Sequence, residues 1–354
     1  MRDDKRRVLK RVLITGGSGF VGANLAVGLS DRHPDWEIVA LDNLKRRGAE
    51  LNLPRLRSSG VRFVHGDVRF KEDLLALDRV DAIVECSAEP SALAGVHDSP
   101  DYLVQSNLFG AYHCLELARR DGAQVVFLST SRVYPYGALD ALPYRETDTR
   151  FELSDCDGID ETFTLDGPRT LYGATKLAAE HLVTDYAAVL DLPMVVNRCG
   201  VIAGPWQMGK VDQGVFTYWL LAHMTGRPLE YIGYGGAGKQ VRDLLHVEDL
   251  IDLIDRQLAE PQRWRGLTLN VGGGRECSLS LAETTALCRE LTANEVPISP
   301  AAEPRPGDVR VYLTDASRLY SLTDWRPQRD AHSTLADTAA WIRDHEALVL
   351  AALA

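Results

Sequence analysis

No stretch of this sequence stays apolar for the roughly 20 residues that a membrane helix needs, so a membrane-spanning helix is excluded and a soluble chain is expected. The first residues, Met1 to Arg11, mix both charges and lack the apolar core and cleavage site of a secretory leader, so they read as a polar lead-in. A basic excess is missing too: 39 Lys and Arg stand against 50 Asp and Glu, a net charge of −11 with His neutral. That argues against a nucleic-acid partner, because phosphate backbones are held by concentrated positive surface. The six cysteines (Cys86, Cys114, Cys156, Cys199, Cys277, Cys288) form no C-x-x-C pair, and no histidine stands at zinc-ligand spacing. No metal site is expected, and scattered thiols fit core packing in the cytoplasm. Internal repeats and low-complexity tracts are also absent.

At 354 residues the chain exceeds what one hydrophobic core usually holds, so a large unit with a smaller partner is expected. From Arg11 to Arg198 short β-branched runs alternate with longer amphipathic segments, the rhythm of βαβ units in a parallel sheet. Strands are expected at Val12 to Thr15, Glu37 to Leu41, Val61 to His65, Ala82 to Cys86, Gln124 to Ser129 and Met194 to Asn197. Their near-continuous apolar character suits strands buried on both faces. Asp101 to Arg120 and Tyr172 to Leu190 carry the clearest helical spacing. Leu142 to Gly167 collects eight carboxylates without a sustained period and reads for the most part as a solvated acidic loop, the alternative being that part of it folds over a ligand. Beyond Gly200, helices are expected near Gln213 to Thr225, Val247 to Leu258 and Ser280 to Thr292. The fold class that follows is α/β: a doubly wound parallel sheet with a smaller C-terminal α/β lobe.

Val12-Leu-Ile-Thr-Gly-Gly-Ser-Gly-Phe-Val-Gly22 sets Gly16, Gly19 and Gly22 between the first strand and the first helix. Such glycines permit a tight turn, close approach of backbone to a pyrophosphate and packing of helix on sheet, while the helix start offers free N–H groups. About twenty residues on, Leu41-Asp42-Asn43 ends the second strand. A carboxylate there accepts from ribose hydroxyls and repels a 2′-phosphate, favouring NAD over NADP, although Lys45, Arg46 and Arg47 just beyond are able to receive one. His65-Gly-Asp67-Val68 offers a carboxylate and an amide to an adenine edge.

Tyr172-Gly-Ala-Thr-Lys176 opens a helix with Tyr and Lys on one face. An ammonium and a positive nicotinamide both favour a phenolate, so Tyr172 is expected to take a hydroxyl proton while Lys176 also holds the nicotinamide ribose. Phe127-Leu-Ser-Thr130-Ser-Arg-Val-Tyr134 ends a strand in hydroxyls where parallel sheets deliver ligand contacts. Thr130 is the expected partner at the reacting oxygen, with Ser129 and Ser131 as alternatives.

Together these segments, in this order and with Arg242-Asp243-Leu-Leu-His246-Val-Glu-Asp249, resemble the extended short-chain dehydrogenase/reductase family from about Arg11 to about Arg343. Within it the chain is most similar to CDP-paratose (CDP-tyvelose) 2-epimerases. That likeness lies in Val64-His-Gly-Asp-Val-Arg69, Ala88-Glu-Pro-Ser91, Glu146-Thr-Asp-Thr-Arg150, Asp212-Gln-Gly214 and Gly238-Lys-Gln-Val-Arg-Asp243. The resemblance implies a Rossmann domain over 1–199 carrying the catalytic residues and a mainly nucleotide-sugar-binding lobe over 200–354, the chain crossing between them. It implies Thr130, Tyr172 and Lys176 as the catalytic set, with Asn107 supporting the lysine through the helix behind it. The cofactor set is Gly16, Ser18, Gly19, Phe20, Val21, Gly22, Asp42, Asn43, Arg46, Asp67, Val68, Ser87, Ala88, Asn107, Tyr172 and Lys176. Toward the substrate it suggests Glu89, Ser91, Thr130, Gln207, Arg242 and Arg305, whose guanidinium groups suit a pyrophosphate. A homodimer built by two helices is a further implication. The chain departs from the pattern at Cys86-Ser87, at Leu171 and at Arg198-Cys-Gly-Val, segments expected to face the hexose.

Family chemistry begins with Tyr172 taking a hydroxyl proton as hydride leaves the sugar for NAD. Dehydratases and decarboxylases of this family place an acid just after the threonine, where this chain has Ser131-Arg132, which argues for epimerisation. A CDP-hexose 2-epimerase that retains its NAD is the expectation. A UDP-hexose 4-epimerase is the alternative, followed by a non-catalytic NAD-sensing regulator.

Overall fold

The computed structural model describes residues 10–209 and 214–353. Most of the lead-in, together with Asp212 and Gln213, lies outside the described residues. Seven strands form the central sheet: β1 Arg11–Thr15, β2 Glu37–Asp42, β3 Arg62–His65, β4 Ala82–Glu85, β5 Gln124–Thr130, β6 Met194–Cys199 and β7 Leu267–Val271. They lie in the order β7-β6-β5-β4-β1-β2-β3, every neighbouring pair parallel. The winding reverses between β1 and β4, which opens a crevice at the carboxyl ends of those strands.

Alternation along β1 explains why both faces are covered. Val12 and Ile14 pack with Leu25 and Leu29 of helix α1 (Phe20–Arg32), and Leu13 packs on the opposite face with Leu115 and Ala118 of helix α2 (Gly110–Asp121). Helix α3 (Leu171–Leu190) joins the second face through Ala179 and Val183, and helix α4 (Val247–Ala259) the first through Leu250 and Ile254. Val12, Leu13 and Ile14 are 0 % exposed. Full burial of such side chains contributes about 1.5–3 kcal/mol each, more than the ~1 kcal/mol span of strand propensities, so packing rather than local preference fixes this strand.

All six expected strands form, and the seventh, Leu267–Val271, arrives from beyond residue 200 with the expectation having stopped at Asn197. The smaller lobe is built on the strand Val241–His246, flanked by Ser278–Ser280, Val311–Tyr312 and Val201–Ala203. Its core gathers Trp219, Leu220, Leu335 and Trp341. The acidic segment is more structured than a solvated loop. Tyr144–Glu146 and Phe151–Leu153 pair as a hairpin, and Phe151 and Leu153 are buried against Val241, Val311 and Leu313. Arg150 locks it to Glu283 across 2.6 Å. The helix expected over Asp101 to Arg120 is broken by a π turn, Gln105–Phe109, ahead of α2; such turns recur at functional sites, and this one carries Asn107.

Candidate active site

A cleft of about 670 Å³ runs along the carboxyl ends of the strands, lined at one end by Gly16, Ser18, Gly19, Phe20, Val21 and Gly22. A Cβ on Gly22 would sit 2.1 Å from the Gly16 carbonyl oxygen, so only glycine lets α1 start this close to β1. Asp42 at the end of β2 accepts the Ser18 amide at 3.1 Å and the Leu44 amide at 2.8 Å. Burial pushes its carboxyl up, and those amides with that of Gly19 pull it back. Asn43, Arg46, Asp67, Val68, Ser87 and Ala88 line the same end, as do Lys45 and Arg47. Asp67 is engaged already, taking Arg69 at 2.7 Å and the Asn43 amide at 2.8 Å.

The fit of a dinucleotide rests on two features of this end. The glycine turn presents backbone where side chains would block approach, and the hydroxyls of Ser87 and Ser106, both on the cleft wall, are buried with no hydrogen-bond partner among the described residues. Buried orphan hydroxyls are rare in folded proteins because each costs about 1–3 kcal/mol; a polar ligand satisfies them.

At the other end, the Thr130 hydroxyl and the Tyr172 phenol both line the cleft, the hydroxyl near enough to favour the phenolate. Two local devices bring them together. Thr170 caps α3 by accepting the Gly173 amide, and the missing side chain of Gly173 lets the helix press on β5's exit, where a Cβ would lie 2.0 Å from the Arg132 carbonyl oxygen. Of the alternative hydroxyls, Ser129 is committed to Glu180 at 2.5 Å, while Ser131 faces the cleft.

The electrostatics differ from the expected Tyr–Lys partnership. Burial pushes the Tyr172 phenol up to about 12, and it is the Thr130 hydroxyl and the Arg132 charge that pull it down. Lys176 is 2 % exposed and lies behind the cleft wall; its Nζ sits 3.4 Å from Glu85 Oε2 and over the Phe127 ring. A desolvated ammonium needs a carboxylate, and Glu85, itself buried and pushed up by that burial, supplies it. Glu85 was not singled out by sequence; the signal was there as one charge inside an otherwise apolar strand, Ala82–Glu85.

Asn107 is not part of the cleft lining, and its link to Lys176 runs through that lysine's helix, at Thr175. Its amide clips the backbone of Glu89, accepting at 2.8 Å and donating at 3.2 Å, and donates to Thr175 at 3.3 Å. It therefore holds the 86–92 segment from behind. Glu89 lines the cleft, whereas Ser91 turns inward and accepts the Leu93 amide at 3.2 Å. Gln207 lines the cleft with its amide spent on Ile202 and Thr217.

Arg242 lies outside the main cleft in an adjoining recess of about 40 Å³, ion-paired to Asp308 at 2.6 Å. Arg305 lines neither cavity. The rest of the Arg242 motif is structural. Asp243 accepts the Gly274 amide at 3.0 Å, His246 caps α4, and Asp249 pairs with Arg329 at 2.8 Å. Arg198, expected toward the hexose, is instead buried against Glu180 and Tyr134; Gly200 and Val201 of the same segment reach the cleft.

Residues 12–272 match the family model described as the NAD dependent epimerase/dehydratase family. The CDP-paratose 2-epimerase of Salmonella typhi is 32% identical over 348 residues, covering 94% of this chain and 98% of that protein. A dTDP-glucose 4,6-dehydratase of Mycobacterium tuberculosis is 29% identical, covering 95% of this chain and 94% of its own. Among solved structures, the Thermus thermophilus UDP-glucose 4-epimerase in complex with NAD superposes with a TM-score of 0.78 at 26% identity, covering 94% of this chain and 99% of that one.

Proposed function

Because the chain belongs to the NAD dependent epimerase/dehydratase family, we propose that it inverts one carbon of a nucleotide-diphosphate hexose through a transient keto-sugar, retaining its NAD, and that the substrate is a CDP-hexose inverted at C2. The observation that carries this reading is that Thr130 and Tyr172 face the same cleft as the glycine turn. Bound NAD supplies the hydride acceptor, the returning hydride and a positive charge. The glycine turn, Asp42, Ser87 and Ser106 hold it. Tyr172 as phenolate takes the proton of the sugar hydroxyl and returns it after the keto-sugar has turned; Thr130 steadies the oxygen, and Lys176 with Glu85 backs the site. Nothing acidic follows Thr130, so no group is in place at Ser131-Arg132 to expel water from a neighbouring carbon.

The substrate lobe assigned to 200–354 contributes Gly200, Val201, Gln207 and, through the recess, Arg242. A homodimer is supported by Phe109 and Val189, exposed apolar residues beside and on the two helices α2 and α3. A cytoplasmic setting is supported by six free cysteines. Among the described residues no helix is long and apolar enough to cross a membrane.

The test is incubation with CDP-, UDP- and GDP-hexoses without added cofactor, followed by NMR of the products. Inversion at C2 of a CDP-hexose is expected. A product that has lost water, or conversion of no sugar, removes the reading.

A further inference from the structure

Three arginines, Arg132, Arg169 and Arg242, wall the recess beside the cleft, and their commitments differ. Arg242 is paired with Asp308 at 2.6 Å. Arg169 donates to the Val133 and Leu165 carbonyls. Arg132 donates one side-chain bond, to the Gly307 carbonyl at 3.0 Å, and among the described residues no carboxylate lies within ion-pair distance of it. It also lines the main cleft with Thr130 and Tyr172, and its own amide donates to the Thr130 hydroxyl at 3.2 Å. Asp308, the partner of Arg242, is the carboxylate whose charge reaches Arg132, so the Arg132 guanidinium has no ion pair of its own among the described residues, and it stands two residues from the threonine at the reacting centre.

The recess is too small for a base or a sugar. At about 40 Å³ it takes a few water-sized groups, the scale of a phosphoryl or carboxylate head. An oxyanion held there on a sugar whose hydroxyl meets Tyr172 must be bonded close to the reacting carbon. In a nucleotide hexose the phosphate hangs from C1, so the adjacent hydroxyl-bearing carbon is C2, whereas C4 lies across the ring. A hexuronate carboxylate would instead stand next to C4. The presence of Arg242 in the same recess favours the phosphate, since two forked cations match one tetrahedral anion.

Resting on the epimerase reading, we propose that Arg132 grips the sugar-linked phosphate beside the reacting carbon and thereby sets C2, not C4, as the carbon oxidised. Arg132 is then a specificity residue.

The experiment compares the NAD-loaded enzyme with its Arg132→Met and Arg132→Lys variants by calorimetric titration of CDP against CMP, with UDP against UMP alongside. CDP ends in the phosphate that the sugar would carry and CMP lacks it. Loss of a charge-assisted contact predicts diphosphate binding weakened about tenfold to a hundredfold in Arg132→Met, monophosphate binding and NAD content unchanged, and partial recovery in Arg132→Lys. Equal affinity for diphosphate and monophosphate in the native enzyme, or an equal loss for both in the variant, overturns the proposal. So does C4 inversion of UDP-glucuronic acid that Arg132→Met abolishes while CDP binding stays intact, which assigns the arginine to a carboxylate. Because these titrations need no turnover, they stand apart from the epimerase reading, whose failure would show as sugars unconverted despite a phosphate-dependent Arg132 effect.

Discussion

The two ends of the cleft are built on opposite plans. The glycine-turn end is built around a stretch of bare backbone at 16–22, with the rest of its residues drawn mainly from segments at 42–49, 66–68 and 86–88 at the ends of the first strands. The Tyr172 end is mostly side chains, drawn from segments as distant as Arg132, Tyr172, Val201 and, in the recess, Arg242 and Gly307. A ligand common to a whole family is met by main-chain geometry, and a ligand that varies is met by replaceable side chains. Changes at one end should therefore leave the other end's readout untouched.

The sharpest break of this separation is Tyr172→Phe, expected to keep its NAD, seen by absorbance of the purified enzyme, while kcat falls about 10²–10⁴-fold. Turnover close to native would move the proton transfer elsewhere. Next in size is Gly22→Val, whose new atoms have no room above Gly16. The purified protein should emerge without NAD and melt several degrees lower, which differential scanning calorimetry will show. Thr130→Val is a subtler cut. Its hydroxyl keeps the Tyr172 phenol, raised by burial to about 12, from rising further. Activity that needs the phenolate rises with pH, so removing the hydroxyl raises the phenol further and moves the rising limb of kcat toward alkali, by roughly one to two units. A limb that stays in place would show that Thr130 acts by position alone. The smallest effect is reserved for Asp42→Asn, which should cost about tenfold in NAD affinity and narrow the preference over NADP, with Lys45, Arg46 and Arg47 at hand; fluorescence titration of both cofactors measures it.

The same contrast decides what was legible in the sequence. Gly16, Gly19, Gly22 and Asp42 were readable because a turn between a strand and a helix is a local event, and the fold class followed from local periodicity. Thr130 and Tyr172 were readable as a pair, but not the device that joins them, since the need for Gly173 arises only when α3 meets the backbone at Arg132. Lys176 shares a helix face with Tyr172, yet its partner is Glu85, from a strand 91 positions earlier. Spacing gives a direction for a side chain and not what waits there. The hairpin at 144–153 escaped because strands of three residues have no period to detect. β7 escaped because its place beside β6 is a matter of long-range pairing.

That late-arriving strand has a consequence for how the molecule comes to exist. With β7 missing, β6 would stand as a raw border, its peptide groups open to any passing strand. A ribosome that has delivered everything through Cys199 has therefore made the parts of the cofactor floor without its final plank, and the nascent sheet must wait for some seventy more residues before its margin is sealed.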